Sequence, residues 1–203
     1  MKELTLQSAT ELLHENMQNK NLRKHCYAVG KTLSEFYDFY IDENGLENKK
    51  RDIGSLTKEQ WEIVGTLHDA DWEKTTNNPE RHVFELISWL EDYQVPEELL
   101  NALKSHNHKE AKIRDPQTLL EWTLECCDEL TGFIVAVALV MPNKKLSEVS
   151  VETIFKKFKQ KEFAKAVERE QILQCEEKLK IKPEKFADIT LTAMQKNSEL
   201  LGL

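Results

Sequence analysis

Glycine and proline are scarce in this chain of 203 residues, at 6 and 5. So few turn formers argue against a turn-rich β-sandwich and against a long flexible linker. The four cysteines, Cys26, Cys126, Cys127 and Cys175, show no Cys-x-x-Cys spacing, which disfavours a zinc ribbon or a thiol redox motif. The opening stretch "MKELTLQSATELLHENM" lacks the apolar core of a signal peptide, so a cytoplasmic location with reduced thiols is expected. The longest apolar run, "FIVAVALVM" (Phe133–Met141), is far shorter than the roughly 20 residues that span a bilayer. It reads as a helix buried on all sides, and no membrane partner is expected. Positive charge is also in deficit: 28 Lys and Arg stand against 36 Asp and Glu, a net charge of −8. A nucleic-acid polymer would be repelled over most of such a surface, although a small anion in a locally positive pocket is not.

What the chain does have is helical periodicity. Ser8 with Glu11 forms a capping-box pattern for a helix through Met17, and Thr57 with Gln60 forms another. Leu22, Cys26, Val29, Leu33, Phe36 or Tyr37, and Tyr40 recur at helical spacing over about Asn21 to Asp42. "DENG" is expected to close that helix, ahead of a polar loop "ENKKRDIGS". The helix begun at Thr57 runs through Trp61, Val64 and Leu67 into His68-Asp69, and "TTNNPE" breaks the chain. Further helices are expected over "RHVFELISWLEDY", after Pro96, from Asp115-Pro116 as N-cap and N1 through Gln117–Val140, and over about Val151–Lys178 and Pro183–Leu200. The sum is an all-α chain of seven or eight helices. The simplest organisation is a single domain over 1–203, with a C-terminal helix over 176–203.

The histidines and acids carry the chemistry. His25 lies on the inward side of its helix, between Leu22 and Val29. By itself it reads equally as a core histidine bonded to a carbonyl. His68-Asp69 ends a helix, where histidine also serves the macrodipole. Asp128 interrupts the apolar stretch "LEWTLECCDELTGFIVAVALV", and a buried carboxylate is costly unless paired or bound to a cation. An ion pair, or an exposed stripe with Glu121 and Glu125, is the alternative. If these residues converge, mixed imidazole and carboxylate ligation suits Mn, Fe, Co, Ni or Zn and leaves positions open for water and substrate.

The order His … His-Asp … Asp on a helical chain resembles the HD-domain superfamily of metal-dependent phosphohydrolases. The matching stretches are "LRKHCYAVG", "GTLHDADWEK" and "ECCDELTG", with "NNPERHVFELISWLE", "LNALKSHNH" and the tail "ALVMPNKKLSEVSVETIFKKFKQKEFAKAVEREQI" beside them. The tail is similar to that of a branch of uncharacterised HD-type predicted hydrolases. The resemblance covers most of residues 21–175. It implies an HD-type fold with a metal site in its core, ligated by His25, His68, Asp69 and Asp128. HD proteins with two ions place extra histidines between the doublet and the last aspartate, which singles out His82 and His106 for a second metal or for phosphate. His108 is expected to be exposed and His14 to lie on the surface.

The implied activity is hydrolysis of a small phosphoester, a nucleotide above all, by water activated on one or two divalent ions (Mn, Fe, Co, Ni, Zn or Mg). Asp69 is then catalytic, and Asp71 or Glu73 is a candidate to orient the water or protonate the leaving oxygen. Lys74, Arg81 and Lys144 are candidate phosphate contacts. Lys144 opens a basic segment with Lys145, Lys156, Lys157, Lys159 and Lys161, which otherwise reads as the solvated face of a helix. Two other readings stand beside hydrolysis. One is a non-catalytic HD domain that binds a nucleotide or regulates a partner. The other is a diiron oxygenase, which requires both His82 and His106 as ligands. Trp89 and Phe155 are candidate homodimer contacts.

Overall fold

The computed structural model describes residues 1–47 and 52–203. The elements in chain order are β1 (Lys2–Glu3), α1 (Leu6–Asn16), α2 (Lys20–Glu47), α3 (Lys58–Leu67), α4 (Trp72–Thr75), α5 (Phe84–Trp89), β2 (Tyr93–Gln94) and α6 (Glu97–His106). There follow α7 (His108–Ala111), α8 (Leu119–Leu139), α9 (Val151–Phe158), α10 (Arg169–Leu179), α11 (Pro183–Lys196) and α12 (Ser198–Leu201). Single 3-10 turns lie at Pro79–Arg81, Leu90–Asp92 and Leu146–Glu148. The all-α expectation therefore holds, with one departure: β1 and β2 form a parallel pair in which Lys2 faces Tyr93. Among the described residues no helix is long and apolar enough to cross a membrane.

Helix starts follow their caps. Thr57 accepts from the Gln60 N–H while the Gln60 side chain accepts from the Thr57 N–H, the reciprocal bond pair expected from the sequence. At α1 the box is formed by Thr5 and Ser8 rather than by Ser8 and Glu11. At α8 Thr118 and Glu121 form it, three residues beyond Asp115, because Glu121 returns to the Thr118 N–H and also holds Arg114 at 2.9 Å. Helix α2 runs on through Glu47, past the expected stop at "DENG". The polar loop expected over 47–55 lies partly outside the described residues.

The expected helix over 151–178 is broken. Ala164 takes a left-handed φ of 45°, and the Arg169 guanidinium donates to the carbonyls of Phe158, Gln160, Phe163 and Val167. One side chain thus satisfies the acceptors that a continuous helix would have satisfied internally. Such breaks explain why the helices outnumber the seven or eight expected.

Helix α2 lies along α3, with α8 and α11 on its other side, and α8 is covered by α6 and α10. The α2–α3 crossing is closest at two glycines. A Cβ on Gly65 would fall 2.6 Å from the Gly30 Cα, so the two backbones touch there. Trp61, Tyr40, Phe36, Phe133 and Phe186 fill the centre, with the Phe36 and Phe186 rings 4.5 Å apart. Each such ring contributes roughly 1.5–3 kcal/mol by leaving water. The run Phe133–Met141 is only partly enclosed: Phe133, Ile134, Val137 and Ala138 are buried, while Leu139 and Val140 are exposed where α8 leaves the core.

Candidate metal centre

Four helices and one 3-10 turn deliver the expected residues to one place. Gly30 and Gly65 bring α2 and α3 together one to two turns from His25 and His68, whose rings lie 5.2 Å apart. His68 caps α3, and Asp69 follows in the turn before α4. Asp128 enters from α8 and His106 from the last turn of α6. His82 follows the turn begun by Pro79.

Asp69 stands at the middle of the cluster. Its Oδ2 lies 3.7 Å from His25 Nε2 and 3.6 Å from His68 Nε2. Its Oδ1 lies 3.2 Å from His82 Nε2 and 3.2 Å from His106 Nε2. Asp128 Oδ1 completes the first side, at 2.8 Å from His25 Nε2 and 3.4 Å from His68 Nε2. Donor atoms of His25, His68 and Asp128, and of His68, Asp69 and His106, lie within 4.8 Å of one another, close enough to hold a cation. The six residues singled out by sequence therefore converge.

The imidazoles are anchored in two ways: His106 Nε2 hydrogen-bonds Asp69 Oδ1 at 3.2 Å, whereas His68 and His82 are held through Nδ1. His68 Nδ1 lies 2.7 Å from the Gly65 carbonyl, an acceptor only, so Nδ1 carries the proton. In a neutral ring Nε2 is then a lone pair aimed at two carboxylates, and it has no hydrogen-bond partner. His82 repeats the pattern: Nδ1 donates to Asp71 Oδ1 at 2.6 Å, and Nε2 is buried, without a hydrogen bond, facing Asp69. Lone pairs turned onto carboxylate oxygens repel unless a positive charge lies between them. Outer partners that fix a histidine in this way are the usual support of metal ligands.

Protons compete for the same positions. Burial alone would lower the His25 imidazole, but the hydrogen bond and charge of Asp128, aided by Asp69, push it up to about 9. His82 also reaches about 9, because Asp69 and Asp71 outweigh its burial. Burial would raise Asp69 and Asp128, yet the surrounding imidazoles hold both carboxyls well below the usual range. All four cysteines are buried with thiols pushed up by burial, and the groups that lie within reach of one another are imidazoles and carboxylates.

Several expectations need correction. Asp71 does not face the opening. It is fully buried, with one oxygen on His82 and the other accepting the Leu86 N–H at 3.1 Å, so it positions His82 and caps α5. Val83, in the left-handed region at φ 74°, makes the bend that starts α5 at Phe84, three residues after the expected Arg81. Glu73 accepts from the N–H groups of Gln18 and Asn19, ahead of α2. His108 is half-buried, 3.1 Å from the Ser105 carbonyl, whereas His14 is exposed as expected and bonded to Tyr27.

The basic candidates lie elsewhere too. Lys74 bonds Asn16 at 2.6 Å and sits over the Trp89 ring, Arg81 pairs with Glu85 at 2.6 Å, and Lys144 lines a hollow with Ser147 and Gln195. The cavity that opens on Asp69, His82, His106 and Asp128 has a volume of about 280 Å³. Among the described residues that line it, Lys109 is the one Lys or Arg, held by Glu125, Glu168 and Gln171. The signal for Lys109 in the sequence is its place just after "SHNH", but only folding carries α7 across to α8 and α10. No family model matches the chain, and no curated protein or solved structure matches it.

Proposed function

We propose that this protein is a metal-dependent hydrolase of a small phosphoester, with nucleoside monophosphates the first candidates, and that it holds two divalent ions. The observation that carries the reading is Asp69, whose two oxygens face two different histidine pairs. His25, His68 and Asp128 would hold one ion and His82 and His106 the other, with Asp69 shared. Divalent ions in such a site acidify water and draw charge from a phosphoryl oxygen.

The chain's own groups do the rest. Gly65 and Asp71 keep the two imidazoles in the ligating tautomer. Asn107 donates to the carbonyls of Pro79 and His82 at 2.8 and 3.0 Å and so fixes the strand of chain that carries His82. Lys109 brings an ammonium to the cavity, where it would meet phosphoryl oxygens. A second reading, a diiron oxygenase, is favoured by the same histidines, because it needs both His82 and His106 at Asp69. Metal analysis of protein purified without a histidine tag, followed by a phosphoester panel with added Mn²⁺ and by oxygen-uptake measurements, separates the two. Phosphate release without oxygen uptake supports hydrolysis; iron with oxygen uptake and no phosphate release replaces it.

A further inference from the structure

A second hollow, of about 420 Å³, reaches His25 and does not include Lys109. It is lined by Lys24 and His25, Ala28, Gly132, Val135 and Leu139, among others. Its walls continue the two helical stripes that carry metal-ligand candidates. On α8, Asp128, Gly132, Val135 and Leu139 are spaced by four, three and four residues; on α2, Lys24 and His25 are followed by Ala28. A molecule that reached Asp128 and His25 would therefore meet this hollow within one helical turn.

Gly132 is the informative residue. It lies in the interior of α8, where glycine is less favourable than any residue but proline. A Cβ there would meet no atom within 4 Å, so neither close packing nor backbone approach calls for glycine. What glycine does provide is open space in the wall. The two openings also differ in charge. The cavity that holds Lys109 also carries Glu110, Glu125, Glu129 and Glu168, a polar lining suited to ions and a phosphoryl group rather than to hydrocarbon. The hollow at Gly132 offers mostly hydrocarbon, with Lys24 as its cation, which is the usual make-up of a small-molecule pocket.

We infer that the hollow between α2 and α8 binds an uncharged apolar group, of the size of an aromatic ring, carried on the alcohol portion of the phosphoester. The inference rests on the hydrolase reading for the position of the phosphoryl group. It narrows the substrate class to a monoester whose alcohol carries a flat or apolar ring, rather than a polyphosphorylated or wholly polar one.

The test uses two phosphonates that resist hydrolysis, 1-naphthylmethylphosphonate and methylphosphonate, titrated calorimetrically into Mn²⁺-loaded protein. Wild type is expected to bind the naphthyl compound at least tenfold more tightly. Gly132→Phe should remove that advantage while leaving metal content and methylphosphonate affinity unchanged. Leu139→Asp, at an exposed position, should weaken the naphthyl compound in the same direction. Equal affinity for both compounds in wild type, an advantage that survives both substitutions, or no binding of either compound overturns the inference. Tight, Gly132-dependent naphthyl binding with no turnover of 1-naphthyl phosphate leaves the hollow assigned and removes the hydrolase reading instead.

Discussion

Replacing Asp71 by asparagine isolates the part of the site that lies behind the ligands. In the native chain one carboxylate oxygen takes the His82 Nδ1–H at 2.6 Å and the other takes the Leu86 N–H at 3.1 Å. Asparagine has a single acceptor oxygen. If it faces Leu86, its amide donates toward His82, and the imidazole must move its proton to Nε2, the atom aimed at Asp69. If it faces His82, the amide confronts the Leu86 N–H in a fully buried place, at a cost of about 1–3 kcal/mol. The first outcome blocks a ligand; the second loosens α5. Loss of an outer partner usually weakens metal binding by about 10–100-fold, or roughly 1.4–2.8 kcal/mol. The expected result is selective loss of the ion on the His82 and His106 side, with the ion on His25, His68 and Asp128 retained. Metal-to-protein ratio after dialysis against a weak chelator, with calorimetric affinities, reads this directly. Unchanged stoichiometry and affinity would refute the claim that Asp71 holds the His82 tautomer.

Three further outcomes are expected. Asp69→Ala removes the carboxylate shared by both histidine pairs, so metal content and phosphoester turnover should fall by more than the roughly 10–100-fold of an outer partner, while the helical circular dichroism stays largely intact. In metal-free protein, His25 and His82 are raised from 6.5 to about 9, so their stabilisation is complete below pH 6.5 and is lost as pH rises through about 9. The loss is on the order of 3 kcal/mol per imidazole. Thermal melts in EDTA should therefore drop between pH 6.5 and 9, whereas metal-loaded protein should not follow, and parallel curves would count against shared occupancy of these atoms by proton and metal. Gly65→Ala forces a methyl into the Gly30 backbone, and urea unfolding should show a loss of about 1–3 kcal/mol together with weaker metal binding.

The sequence made several of the candidate ligands legible because they break a local rule: Asp128 is an acid in an apolar helix, and His68-Asp69 is a polar doublet at a helix end. His82 and His106 were legible only through the resemblance to the HD-type pattern. Asp71 was read as facing substrate because its partners, His82 and Leu86, lie 11 and 15 residues away, a distance that no periodicity reports. The basic candidates failed for a related reason. Lys74 is drawn to Asn16 and Arg81 to Glu85, and Lys144 lines a separate hollow, while Lys109 arrives from α7 through tertiary packing alone. Helix ends were legible where one cap had no rival, as at Thr57. They were misplaced where two caps competed, as with Asp115 and Thr118, because the second had a glutamate three residues on to close the box.

The contact of Gly30 with Gly65 bears on ion choice. Main chain against main chain cannot be compressed or repacked as side chains can, so the gap between the His25 and His68 rings is set before any metal arrives. Under the proposed two-ion reading, a frame of that stiffness would sort cations by radius, favouring those that span the gap over those that would have to stretch it. On the same reading, a new donor atom at either position would be expected to change the preferred element while the spacing stays put.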